Sequence, residues 1–166
     1  MNSLLSSNPT NFGFSESLAV AFLLPLFITG VFAFPSFAYA TNKLIGSKYY
    51  KLKYPDTLNR IYNILGVKYF RIFLLIVFWG RGKSKKKYFN GTRKGLQNFV
   101  YQSKQSEFGH LSAFVSILCI SIVLLTQGYF ILIGMVTVIN IFGNLYPIIL
   151  QRFHRIRIDR LVLKVE

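Results

Sequence analysis

The stretch that decides the fold is residues 111–150, LSAFVSILCISIVLLTQGYFILIGMVTVINIFGNLYPIIL. It contains no Asp, Glu, Lys, Arg or His, and its apolar character is interrupted at Gln127-Gly128. The two halves, Leu111–Thr126 and Tyr129–Leu150, approach or exceed the roughly 20 apolar residues that cross a bilayer. Because so short a break permits only an antiparallel hairpin, the sequence predicts two transmembrane helices that return to the same side.

A third apolar segment lies near the N-terminus at Leu18–Tyr39, LAVAFLLPLFITGVFAFPSFAY. It is long enough to cross about 30 Å of hydrocarbon, and its two prolines predict kinks, which membrane helices tolerate. The competing interpretation is a cleaved signal peptide, because Ala38-Tyr39-Ala40 resembles a cleavage site. The segment is preceded by Glu16 and by no Lys or Arg, so a retained transmembrane helix is favoured.

The composition combines strong hydrophobicity with strong positive charge. Of 166 residues 52% are hydrophobic, and 20 Lys+Arg against 5 Asp+Glu give a net charge of +15. No cation precedes Lys43, fifteen lie in Lys43–Lys104, and five lie in Arg152–Lys164. By the positive-inside rule, residues 43–104 and 151–166 are expected in the cytoplasm. We therefore expect a multi-pass protein of the cytoplasmic (inner) membrane, with its N-terminus outside and its C-terminus inside.

The segment between the first span and the hairpin contains a shorter apolar run. Tyr69–Trp79 (YFRIFLLIVFW) is too short to span, which predicts an interfacial or half-inserted helix anchored by Arg71 and its aromatic residues. A helix is also expected from about Thr92 into the hairpin. The expected fold class is therefore an all-α membrane protein, one domain over residues 1–166, with about three transmembrane helices and this interfacial helix. The basic run Arg81–Lys87 flanks spans, so anionic lipid headgroups are its expected partner and nucleic acid is not.

Polar side chains stand at one depth on both arms of the hairpin. His110 lies seventeen residues before Gln127 and Asn144 seventeen after it, so both lie roughly 25 Å from the turn. Glu107 is three residues before His110 and shares its helix face. Polar residues this deep usually face the bundle interior and mark function, although hydrogen bonding between helices alone would also place them there. On the second arm they recur at intervals of four, seven and four: Asn140, Asn144, Gln151 and Arg155.

These residues resemble the glycosyl-4,4′-diaponeurosporenoate acyltransferase family, small membrane proteins that end the synthesis of staphyloxanthin-type carotenoids. The similarity is good over about residues 100–160, loose over 48–98, and not recognisable as a motif in the first forty residues. It rests on Glu107-x-x-His110 before a span, and on Asn144-x-x-Pro147-Ile148 running into Gln151-Arg152-Phe153-His154-Arg155-Ile156-Arg157.

The resemblance implies transfer of a fatty acyl group, from an activated donor such as acyl-CoA, to a hydroxyl of a glycosylated carotenoid or related lipid. No bound cofactor is expected, and acyl-CoA is the expected co-substrate. Such a transfer needs a base at the hydroxyl and charge stabilisation at the oxyanion. We expect His110 to be the base, since its unperturbed pKa is near neutrality, and Glu107 to orient it.

Other polar residues are expected to bind substrate. Amide side chains could donate to the oxyanion, and arginine suits the phosphates of a coenzyme A donor by its fork geometry. Basic residues just past a span are also explained by topology and by anionic lipid alone. The residues expected to bind substrate are Asn140, Asn144, Gln151, Arg152, Arg155 and Arg157.

A non-enzymatic interpretation stays open, in which the chain is an accessory subunit of a membrane complex and its polar stripe bonds to helices of protein partners. An enzyme should bring that stripe to a cavity with a route for an acyl chain, whereas a subunit should have it covered by a partner. No metal site is expected, because the two histidines lack thiols or clustered carboxylates nearby. Gly82-Lys83-Ser84 is not a P-loop, since the required earlier glycine is Val77.

Overall fold

The computed structural model describes residues 13–79 and 92–162, and the regular elements in those ranges are all helical. Three stretches are long and apolar enough to cross a membrane, Phe14–Ala33, Lys94–Thr126 and Phe130–Leu161. The predicted all-α membrane fold is confirmed. The elements are α1 (Phe14–Ala33), α2 (Pro35–Ala38), a 3₁₀ turn (Thr41–Lys43), α3 (Ser47–Tyr50), α4 (Pro55–Ile64), α5 (Val67–Leu74), a π turn (Leu75–Trp79), α6 (Arg93–Thr126), α7 (Phe130–Asn140), a second π turn (Ile141–Leu145) and α8 (Tyr146–Val162).

The first apolar segment forms two helices. α1 continues through Pro25, and α2 begins at Pro35, whose missing N–H favours the first turn of a new helix. Along α1 the small or compact residues Ser17, Ala21 and Pro25 are buried. The outward face is apolar and open, with Phe27 71% exposed, as expected for a surface that contacts lipid.

The hairpin is formed as the sequence predicts. α6 begins where Thr92 caps it, its side chain accepting a bond from the Gly95 N–H at 3.1 Å. It ends at Thr126, and Gly128 turns the chain with φ +81°, a left-handed conformation that glycine adopts without strain. α7, the second π turn and α8 then run back along α6.

Two apolar clusters hold the bundle together. α1 packs on α6 and α7 through Ala21, Ile117, Leu132 and Val136, with Tyr129 at the hairpin turn. At the other end, α4 and α5 pack against α8 through a second core made of Tyr62, Val67, Leu150, Phe153 and Ile156. The segment between α1 and α6 therefore covers the end of the hairpin that carries the polar stripe.

The predicted short helix at residues 69–79 begins two residues earlier, as α5, and continues through the first π turn to Trp79. The basic run Arg81–Lys87 and the turn predicted at Asn90-Gly91 lie outside the described residues.

Candidate active site

The register of the hairpin places polar groups opposite one another at the depths that counting from Gln127 predicts. The contacts that define the register are His110 with Asn144, the Phe114 carbonyl with Asn140, and Ser103 with the Gln151 carbonyl. Asn140, Asn144 and Arg155 are each at most 2% exposed. The polar stripe of the second arm therefore faces the bundle interior.

His110 is hydrogen-bonded to an amide. Its Nδ1 lies 3.0 Å from Asn144 Oδ1, and because a carbonyl oxygen only accepts, Nδ1 carries the proton and Nε2 of the neutral ring keeps its lone pair. Thr29 Oγ1 of α1 donates to the same oxygen at 3.1 Å. Asn144 Nδ2 donates to Asn140 Oδ1 at 3.0 Å, and Asn140 Nδ2 donates to the Phe114 carbonyl at 3.2 Å. Asn144 thus fixes the tautomer of the imidazole and is itself held on both sides.

A local break in the helix shapes this site. Residues Ile141–Leu145 form a π turn, an element that recurs at functional sites. Pro147 stands two residues after this turn and has no backbone N–H, so the Gly143 carbonyl four residues earlier receives no α-helical bond from it. The role of Pro147 was missed by the sequence analysis, although the missing donor can be read from any proline inside a helix.

Glu107 is fully buried between two guanidiniums. Arg152 Nε lies 2.7 Å from Oε1, Arg155 Nη2 bonds to Oε2, and Arg155 Nη1 donates to Ser103 Oγ at 3.0 Å. These bonds correct the prediction that Glu107 orients His110. Helical side chains lean toward the N-terminus of their own helix, so in the antiparallel hairpin Glu107 and the two arginines lean toward each other. Asn144 occupies the orienting position in its place.

Two tyrosines that no motif singled out close this ion cluster from α3. The Arg152 guanidinium carbon lies 4.8 Å from the ring centroid of Tyr49, and that of Arg155 lies 5.8 Å from the ring centroid of Tyr50. Burial first, and then the Glu107 charge, raises the pKa of Tyr50 to about 12 and also raises the pKa of Tyr49. Both phenols therefore stay protonated at physiological pH. The Tyr50 hydroxyl is buried and has no hydrogen-bond partner among the described residues.

The remaining predicted residues divide between two environments. Gln151 faces α6, where its Nε2 donates to Ser106 Oγ at 3.2 Å. Arg157 is exposed and lies on another face of α8, with its guanidinium carbon 5.9 Å from the ring centroid of Phe153. The structure thus brings together two groups and leaves Arg157 apart: His110 with Asn140 and Asn144, and Glu107 with Arg152, Arg155 and Gln151.

A close helix crossing brings α1 to the site. A Cβ atom at Gly109 would lie 3.3 Å from the Phe32 carbonyl oxygen, so the two backbones approach where glycine stands on α6. Gln105 Nε2 donates to the Tyr39 carbonyl at 2.9 Å, which fixes the end of the first apolar segment to the same helix. This approach lets Thr29 reach Asn144.

An apolar hollow lies on a different face of α1 but at the depth of Thr29. It is lined by Phe27, Gly30, Val31, Phe34 and Pro35. Its lining offers no charge, which suits a hydrocarbon chain. The two polar groups, around His110 and around Glu107, lie instead where α6 packs against the second arm of the hairpin. In residues 13–79 and 92–162, no three His, Cys, Asp or Glu side chains converge as a metal site would require.

Comparison with known proteins identifies a family. No curated protein and no solved structure matches the chain. The family model described as glycosyl-4,4′-diaponeurosporenoate acyltransferase matches residues 46–164, more than two thirds of the chain. The match includes the whole polar stripe, the ion cluster and α3 to α5. It also extends well beyond the region where the sequence motifs carry the resemblance. The chain belongs to the glycosyl-4,4′-diaponeurosporenoate acyltransferase family.

Proposed function

We propose that this protein transfers a fatty acyl group from a thioester such as acyl-CoA to a sugar hydroxyl of a glycosylated carotenoid or related lipid. The family supplies the reaction class. The cations of residues 43–104 and 152–164 support a site at the cytoplasmic face of the inner membrane. The observation that carries the proposal is the hydrogen bond between His110 Nδ1 and Asn144 Oδ1, because it leaves an imidazole prepared to accept a proton at Nε2.

In the proposed reaction, the hydroxyl of the acceptor donates a hydrogen bond to Nε2 of His110. As the hydroxyl oxygen attacks the thioester carbonyl carbon, its proton moves to Nε2 and negative charge develops on the carbonyl oxygen. Collapse of the tetrahedral intermediate breaks the C–S bond, and the leaving thiolate takes the proton from the imidazolium. The products are an ester and a free thiol. Asn144 Oδ1, which accepts from Nδ1–H, stabilises the imidazolium in the same way as the orienting residue of a catalytic triad.

The other clusters support this chemistry without taking part in proton transfer. The bonds that Arg152 and Arg155 donate to Glu107 join α8 to α6, which keeps Asn144 in register with His110. The apolar hollow on α1, at the depth of Thr29 but on another face of that helix, offers a place for the acyl chain or the acceptor's hydrocarbon.

The test is the lipid composition of cells that carry wild-type protein or His110→Ala. Wild type should convert one lipid class to a product heavier by one fatty acyl unit. Loss of a general base lowers the rate by about 10²–10⁴-fold, so His110→Ala should leave the precursor unacylated. Asn98→Ala, an exposed change on the same helix, serves as the control, and both variants should reach the membrane fraction at wild-type levels.

Full acylation by His110→Ala protein would remove this mechanism. Identical lipids in cells that carry the wild-type protein and in cells that lack it would contradict the proposal that the protein is an acyltransferase. The accessory-subunit interpretation would then be favoured.

A further inference from the structure

A second group of cations lies apart from Glu107, where α5 meets α8. It consists of two guanidiniums, those of Arg71 on α5 and Arg157 on α8, and both interact electrostatically with the imidazole of His154 on α8. The His154 ring packs edge-on against Phe99 of α6, with centroids 5.8 Å apart and planes at 87°. Three helices therefore contribute to the Arg71–His154–Arg157 cluster.

No carboxylate of the described residues neutralises this cluster. Glu107 neutralises the other arginine pair, Arg152 and Arg155, through direct ion pairs. Of the other described carboxylates, Glu16 accepts from the Gly13 N–H, Asp56 pairs with Arg160, and Asp159 interacts electrostatically with Arg155 and Lys104. Like charges held close together in a partly desolvated place are unfavourable unless an anion offsets them.

The hydrogen bonding of the cluster is also incomplete. Arg71 Nε is buried and has no partner within the ranges that the structure describes. A buried donor normally finds an acceptor, because leaving it unpaired costs free energy. Arg157 is exposed, so the cluster is open to a ligand on that side and closed by packing at His154.

We infer that the Arg71–His154–Arg157 cluster binds a phosphate group, and, resting on the function proposed above, that this phosphate belongs to the acyl donor. Guanidiniums bind phosphate oxygens through paired, charge-assisted hydrogen bonds. Of the three arginines that the sequence predicts to meet a donor's phosphates, Arg152 and Arg155 are bonded to Glu107, and Arg157 is not. The guanidinium donors left for a phosphate therefore lie on another face of α8, away from Glu107.

The distance from the proposed base suits this assignment. In the hairpin register that pairs His110 with Asn144, His154 stands ten residues further from the turn than Asn144. At about 1.5 Å per residue the cluster is roughly 15 Å from the imidazole along the helix axis. A coenzyme A thioester carries its reactive carbonyl and its phosphates at opposite ends of a long pantetheine arm, so both ends can be held at once.

Binding to the purified full chain in neutral detergent tests the inference. One arm measures coenzyme A binding by titration calorimetry, and the other measures retention of phosphatidylglycerol relative to phosphatidylcholine by native mass spectrometry. The test variant is Arg71→Gln with Arg157→Gln. The matched control is Lys68→Gln with Arg160→Gln, which removes two exposed cations from the same two helices. Arg157→Gln alone, at an exposed position, covers the case in which the double variant does not fold.

Loss of charge-assisted hydrogen bonds should raise the Kd for coenzyme A at least about tenfold in the test variant, with the control near wild type. Loss of phosphatidylglycerol retention with unchanged coenzyme A binding would assign the same phosphate chemistry to a lipid headgroup. Wild-type behaviour in both arms would overturn the inference. His110→Ala should bind coenzyme A as wild type does, so a failure of this site and a failure of the proposed catalysis give different results.

Discussion

Replacing Glu107 with glutamine should destabilise the bundle by removing the charge that two arginines share. The Glu107 side chain is 0% exposed, and those of Arg155 and Arg152 are 3% and 27% exposed. Glutamine keeps the size and an acceptor oxygen, so the change isolates the charge. Breaking a buried ion pair from one side costs about 3–5 kcal/mol, because the remaining charge is left uncompensated. At about 2–4 °C per kcal/mol for a chain of this length, the melting temperature should fall by about 6–20 °C.

Thermal unfolding of the detergent-purified protein, followed by circular dichroism, measures this shift. Asp56→Asn is the matched control, since Asp56 also pairs with an arginine, Arg160, but through side chains that are 84% and 44% exposed. An exposed pair contributes at most about 1 kcal/mol, so the control should lose no more than about 4 °C. Acyl transfer per folded molecule should be close to wild type in both variants.

Equal melting temperatures for Glu107→Gln and Asp56→Asn would refute this reasoning. A Glu107→Gln protein with wild-type stability and no activity would do so too, and would return Glu107 to the orienting role that the sequence first suggested. Adding Arg155→Met to Glu107→Gln should recover part of the lost stability, because it removes the guanidinium that is left without a partner.

Two further predictions concern packing and an unpaired hydroxyl. Gly109→Val should lower the free energy of unfolding by about 1–3 kcal/mol through overpacking, because a Cβ there would lie 3.3 Å from the Phe32 carbonyl oxygen. Gly134→Val is the control and should cost much less, because a Cβ at Gly134 has nothing within 4 Å. Equal melting temperatures for the two variants would argue against the close crossing of α1 and α6. Tyr50→Phe removes a buried hydroxyl that has no partner in the described part of the chain, so stability in the same assay should be unchanged or higher by up to about 1 kcal/mol. A clear loss of stability in Tyr50→Phe would show that the hydroxyl is bonded.

The sequence by itself determined the helices and the depth of the site. A charge-free run with one break at Gln127-Gly128 can form only a hairpin, and the rise per residue of an α-helix is constant. Counting from the turn was therefore enough to place His110 level with Asn144, a pairing that the structure forms at 3.0 Å. The motifs of residues 100–160 also led to the family that the comparison confirms.

Only the tertiary structure decided which groups touch at that depth. Counting residues gives only the position of each Cα along the helix axis. The contacts of Glu107 with Arg152 and Arg155 depend on the opposite lean of side chains in the two antiparallel helices. The π turn, together with the missing N–H of Pro147, shapes the helix segment from which Asn144 reaches His110. The tyrosines of α3 arrive from a segment more than fifty residues away from Glu107 in the chain, and such packing is fixed by how the whole bundle buries its charges.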